Sequence, residues 1–152
     1  MPFTLVPIAF EFDQKLGQIR WRGIVIAPGG GGGGGPTLLS SVPWTVPAGA
    51  VVGSLLYATG IFTAGLASNA ALGTLPVMGM VYDKPTAVTA TVAFAGEVPG
   101  LAGLVAGQYY AGAAGAMTTV IPVGPAAAGL QTVGVRGSAG LFVFNPGDVF
   151  RL

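Results

Sequence analysis

Residues 87–98 read Ala-Val-Thr-Ala-Thr-Val-Ala-Phe-Ala-Gly-Glu-Val. Val88, Ala90, Val92 and Phe94 alternate with Thr89, Thr91, Ala93 and Ala95, so β-branched residues fill both faces of a period-two pattern. That pattern predicts a strand. Working outward, residues 36–152 alternate short apolar runs with glycine or proline punctuation every eight to twelve residues or so, the spacing of an all-β sandwich or barrel. Further strands are expected over 51–59, 76–83, 107–111, 131–136 and 141–145, with residues 136–140 (Arg-Gly-Ser-Ala-Gly) turning the last pair into a hairpin. Helix has little room beyond a single turn at 66–72. The expected fold is all-β, a jelly-roll-like sandwich or barrel preceded by a β-hairpin arm.

The arm occupies residues 1–28. Ile8, Phe10 and Phe12 alternate with Ala9, Glu11 and Asp13, and after Gln14-Lys15-Leu16-Gly17 the residues Ile19 and Trp21 alternate with Gln18, Arg20 and Arg22. A hairpin that sets Asp13 opposite Gln18 places Phe12 against Ile19, Phe10 against Trp21 and Glu11 against Arg20. One register thus groups aromatics on one side and opposite charges on the other. Gly29, Gly30, Gly31, Gly32, Gly33, Gly34 and Gly35 follow without interruption between Pro28 and Pro36. As a linker this run spans about 15 Å on average and about 24 Å when extended, enough to reach a neighbouring subunit. A phosphate-binding loop is the sharper alternative, but no Lys-Ser or Lys-Thr follows the glycines. Residues 36–152 then form the body.

Charge is scarce throughout. The 152 residues include 6 Lys+Arg and 5 Asp+Glu, for a net charge of +1, where an average soluble domain would carry roughly 38 charged residues. Residues 23–82 and 98–135 contain none. There is no cysteine and no histidine, which removes disulfides, Cys/His zinc sites and His-activated nucleophiles. The charge balance gives no electrostatic footprint for nucleic acid. Residues 46–66 have the length of a membrane-spanning helix. However, Pro43 and Pro47 precede the stretch, glycines 49, 53, 60 and 65 interrupt it, and no Lys or Arg flanks it closely, so it reads as short strands and turns. No membrane association is expected, and the opening Met1–Pro7 lacks the basic segment of a secretory leader.

The candidate functional residues belong to interfaces. Glu11 and Asp13 resemble a paired carboxylate, but on a strand they share a face beside Arg20 and Arg22, which makes structural ion pairing the expected role. Trp21, Arg20 and Arg22 are the best contact candidates, because Trp and Arg are enriched among binding hot spots and here lie on a detached element. Tyr109 and Tyr110 are candidate core or subunit-contact aromatics. Asp83-Lys84-Pro85 reads as a solvated turn. Glu97 is a lone carboxylate, paired with Arg136 or with backbone amides. No nucleophile, base and orienting group come together, so no enzyme, cofactor or metal is expected.

Leu104-Val105-Ala106-Gly107-Gln108-Tyr109-Tyr110, then Gly115-Ala116-Met117-Thr118-Thr119, then Gly129-Leu130-Gln131-Thr132-Val133-Gly134-Val135 follow one another before a terminal apolar strand. In this order the segments resemble a module of structural proteins in tailed bacteriophages, with Val77–Val81 and Thr89–Glu97 extending the likeness over about half of the chain. The resemblance implies a non-enzymatic virion component at the capsid surface: a head decoration or cement protein that binds the major capsid protein and copies of itself. A fibre knob binding a host receptor or glycan is the alternative, and a small membrane protein ranks below both.

Overall fold

The structure, a computed structural model, describes residues 10–13, 18–21, 24–27, 37–138 and 140–152. The chain divides into two compact units, Met1–Pro36 and Thr37–Leu152. In the first, β1 (Phe10–Asp13), β2 (Gln18–Trp21) and β3 (Ile24–Ala27) form an antiparallel sheet in the order β1-β2-β3. The β1–β2 register pairs Phe10 with Trp21, Glu11 with Arg20, Phe12 with Ile19 and Asp13 with Gln18, the register that the charge and aromatic patterns select. β3 is an addition to the expected hairpin. Its sequence, Ile-Val-Ile-Ala, is a continuous apolar run without the alternation that identifies a half-buried strand.

The second unit contains β4 (Leu38–Leu39), β5 (Trp44–Thr45), β6 (Leu55–Gly60), β7 (Thr63–Leu66), β8 (Gly79–Asp83), β9 (Thr89–Val98), β10 (Gly107–Ala111), β11 (Met117–Thr118), β12 (Gly129–Arg136), β13 (Phe142–Phe144) and β14 (Val149–Arg151). A short 3-10 turn at Leu72–Thr74 takes the place of the helical turn expected at 66–72. β9 is the spine of this unit. Along one edge it pairs first with β8, through Thr91 to Ala93, and then with β13, through Gly96 to Val98. The entering chain lies along its other edge, with Leu38 opposite Ala95, Trp44 opposite Ala90 and Thr45 opposite Thr89. Ser40 N–H donates to the Val92 carbonyl (2.8 Å), and the Thr37 hydroxyl donates to that of Glu97 (2.6 Å).

Closure follows from the remaining pairings. β5 pairs parallel to β7, β7 antiparallel to β6, β6 to β8 and β8 back to β9, which gives a five-stranded barrel. Leu56, Ala64, Val81, Ala90 and Val92 from four of these strands pack as one buried cluster, against which Trp44 of β5 packs. Their neighbours Leu55, Met80, Ala93 and Val98 point the other way, into a second cluster with Tyr109, Ala111, Val133, Phe142 and Phe144. The barrel wall therefore forms one layer of a sandwich and the sheet β11-β10-β12-β13 the other. The all-β expectation holds in this form.

β9 serves both layers because it bends. Gly96, with φ of 102°, is the first residue to pair with β13, three positions beyond the last that pairs with β8, in a backbone region that glycine enters without Cβ strain. Buried Gln131 (1% exposed) ties the layers further: its Oε1 accepts the Val77 N–H at 2.7 Å, and its Nε2 donates to the Gly147 carbonyl at 2.8 Å. β13 and β14 pair with the same strand, β12, and the interruption between them falls at this contact.

Strands found beyond those expected, β4, β5, β7, β11 and β14, are two to four residues long, too short to carry a period. The strand expected at 51–59 begins only at Leu55, because residues 47–54 turn twice, Ala50 N–H bonding Pro47 O and Ser54 N–H bonding Val51 O. Gly96→Ala is expected to cost about 1–3 kcal/mol, read as a lower urea midpoint at unchanged slope.

Candidate interaction surfaces

The sheet β10-β12-β13 buries one face against the barrel and presents the other outward. Cross-strand pairing aligns Gln108, Val135, Val143 and Glu97 in one row over four strands. Val135 and Val143 are exposed, and Gln108 is exposed beside them. A second row pairs Tyr110 with Thr132, and a third pairs Leu130 with exposed Phe150. An antiparallel sheet with one wet face ordinarily alternates apolar and polar residues, yet this outer face carries valine, leucine and phenylalanine.

A further apolar surface lies between β11 and β12. Val120 (73% exposed), Ile121 and Val123 project from a loop beside a groove of about 400 Å³, whose other lining residues include Ala113, Pro122 and Ala126. The lining contains no charged residue. Residues 37–152 carry just six charges, Asp83, Lys84, Glu97, Arg136, Asp148 and Arg151, which sum to zero. Two of the three cations are engaged internally. Lys84 Nζ donates to the carbonyls of Ala48 (2.7 Å) and Ala50 (2.5 Å), with that of Pro47 at 3.5 Å, and Arg136 Nη1 donates to the Leu101 carbonyl at 2.9 Å.

These contacts revise two readings of the sequence. The Asp83-Lys84-Pro85 turn is not simply solvated: the ammonium pins the 47–50 loop. Lys84 is the one cation between Arg22 and Arg136, and it faces a Pro-Ala-Gly-Ala segment whose carbonyls lack strand partners, a signal that spacing along the chain does not expose. Arg136 serves the Leu101 carbonyl, and the Glu97 main-chain carbonyl accepts the Thr37 hydroxyl.

Of the contact candidates, Glu11, Asp13, Arg20 and Trp21 lie on β1 and β2, with Glu11 opposite Arg20. Arg22 and the glycines 29–35 lie outside the described residues. Of the two roles expected for Tyr109, core or subunit contact, the structure gives the core one, so it is not an interface candidate. It is 3% exposed, its ring meets Phe142 edge-on at 5.6 Å, and its hydroxyl both accepts the Val105 N–H and donates to the Val105 carbonyl at 2.9 Å. Tyr110, one residue on, is half-buried on the outer face, as alternation requires. Among the described residues no group of three His, Cys, Asp or Glu could hold a metal ion, and no helix is long and apolar enough to cross a membrane.

No protein-family model matches the sequence, and no curated protein or solved structure matches it. Tyr109→Phe is expected to lose about 1–2 kcal/mol of stability through both Val105 hydrogen bonds, whereas Tyr110→Phe leaves the chemical denaturation midpoint unchanged.

Proposed function

We propose that this chain is a non-enzymatic assembly subunit: a capsid decoration protein of a tailed bacteriophage that covers the major capsid protein lattice as a homo-oligomer and stabilises the shell. The observation that carries this reading is the body's surface, which has zero net charge and displays large apolar side chains on both the outer sheet face and the 120–123 loop. A free monomer seldom keeps such surface in water, and obligate interfaces are more apolar than ordinary protein exteriors. Covering 1,000 Å² of mostly apolar surface yields a gross term of about 25 kcal/mol before association entropy and ordering are subtracted. Repetition over a lattice multiplies even modest contacts. The likeness of residues 104–135 to phage structural modules supplies the virion context.

In this reading the N-terminal unit, which holds five of the eleven charges and Trp21, docks on the lattice, and the glycine run gives it reach. Copy number in purified particles tests the placement. Hundreds of copies fit a shell component, whereas a few or a dozen assign the chain to a fibre or tail and overturn decoration. Deletion of residues 1–28 is expected to leave a β-rich circular dichroism spectrum and to abolish incorporation into particles; normal incorporation of that fragment sinks the docking arm.

A further inference from the structure

The outer face of the second sheet carries a row whose two halves complement each other. Gln108, Val135, Val143 and Glu97 lie side by side across β10, β12, β13 and β9, so two exposed valines stand between a carboxamide and a carboxylate. The centre is apolar and both ends are polar. Glu97 is half-buried, yet the polar groups around it serve main-chain carbonyls: Arg136 Nη1 donates to that of Leu101 (2.9 Å), and the Thr37 hydroxyl to that of Glu97 itself (2.6 Å). Among the described residues the carboxylate therefore has no cation or donor of its own, and a donor from outside the body suits it. A further row lies along the same strand. β14 continues the line of β13 beside β12 and sets Phe150, 62% exposed, opposite Leu130.

We propose that this face packs against the same face of a second copy, about a two-fold axis that runs parallel to the strands between β12 and β13. Rotation about that axis exchanges the two halves of each row. Val135 of one copy then meets Val143 of the other, Gln108 meets Glu97, and Leu130 meets Phe150, each contact occurring twice. The Gln108 carboxamide donates to the Glu97 carboxylate at both ends. Stacking about the other axis in the plane of the face, across the strands, would set Glu97 on Glu97, so charge selects between the two arrangements. An unrelated partner would have to present the same inverted row, whereas a second copy carries it already.

Four strands about 4.8 Å apart and five residue steps of about 3.3 Å give each face roughly 300 Å² in projection. Two such faces cover roughly 600 Å², the scale of a transient contact rather than an obligate one, and repetition in an assembly multiplies it. The closed pair leaves the 120–123 loop free for another neighbour. The proposal deepens the assembly reading by naming one of its partners and rests on that reading, but its test measures self-association in the absence of any shell. A chain that is monomeric in solution yet present in hundreds of copies per particle removes this contact and leaves decoration standing; a dimer with few copies per particle does the reverse.

Sedimentation velocity of the full chain over a concentration series reaching about 1 mM reads the contact. Gln108→Glu sets carboxylate against carboxylate at both ends and is expected to weaken dimerisation about tenfold. Gln108→Lys sets an ammonium there instead and is expected to strengthen it. The full chain carries a net charge of +1, so overall charge alone predicts the opposite order for these two variants. Gln108→Glu combined with Glu97→Gln exchanges the two ends and is expected to restore dimerisation to within about threefold of the unaltered protein. Gln108 is exposed, so the urea midpoints of its single variants are expected to stay unchanged. The proposal is overturned if the unaltered protein stays monomeric throughout the series, if Gln108→Glu dimerises as well as Gln108→Lys, or if the combined variant fails to recover.

Discussion

A single strand shared by two sheets sets the rest of this architecture. β9 uses both edges and both faces. β8 and β13 occupy one edge in succession, the 37–46 segment occupies the other, Val92 packs with the barrel cluster and Ala93 with the sandwich cluster. Every other strand of the body is placed by its relation to this one. The barrel closes because β8 and β5 both return to it, and the second sheet is anchored because β13 pairs with β9 from Gly96 onward. Closure removes edges that would otherwise invite uncontrolled pairing between copies.

Polar groups inside the body are handled mainly by the main chain. Gln131, Ser54, the Tyr109 hydroxyl, Lys84 and Arg136 all bond backbone amides or carbonyls; Ser54 closes its own turn, and the others each tie a loop to a strand or its end. With so few charges in the sequence, cations hold loops in place through carbonyls. The result is rigid loop geometry around the ends of the barrel without reliance on surface ion pairs, which contribute little to stability in any case.

That arrangement leaves the exterior to apolar side chains. The outer face of the second sheet, the 120–123 loop and the exposed Ile61–Phe62 turn between β6 and β7 lie on different parts of the body, and each displays large apolar side chains. Several apolar surfaces on one small neutral body suit a subunit with more than one neighbour, which is the physical basis of the assembly reading.

The order of residues alone settled the all-β class, the strands near 89–98 and 107–111, and the arm register that pairs Glu11 with Arg20, because period-two patterns and charge placement are local properties of neighbouring residues. It also fixed the scarcity of charge. Tertiary structure decided what depends on distant segments meeting: closure of the barrel through β5, a two-residue strand too short to show a period, the shared position of β9 between two sheets, the burial of Tyr109 beside the half-exposed Tyr110, and the capture of the 47–50 carbonyls by Lys84. Those features arise where chain segments tens of residues apart come into contact, and linear spacing does not record which segments meet.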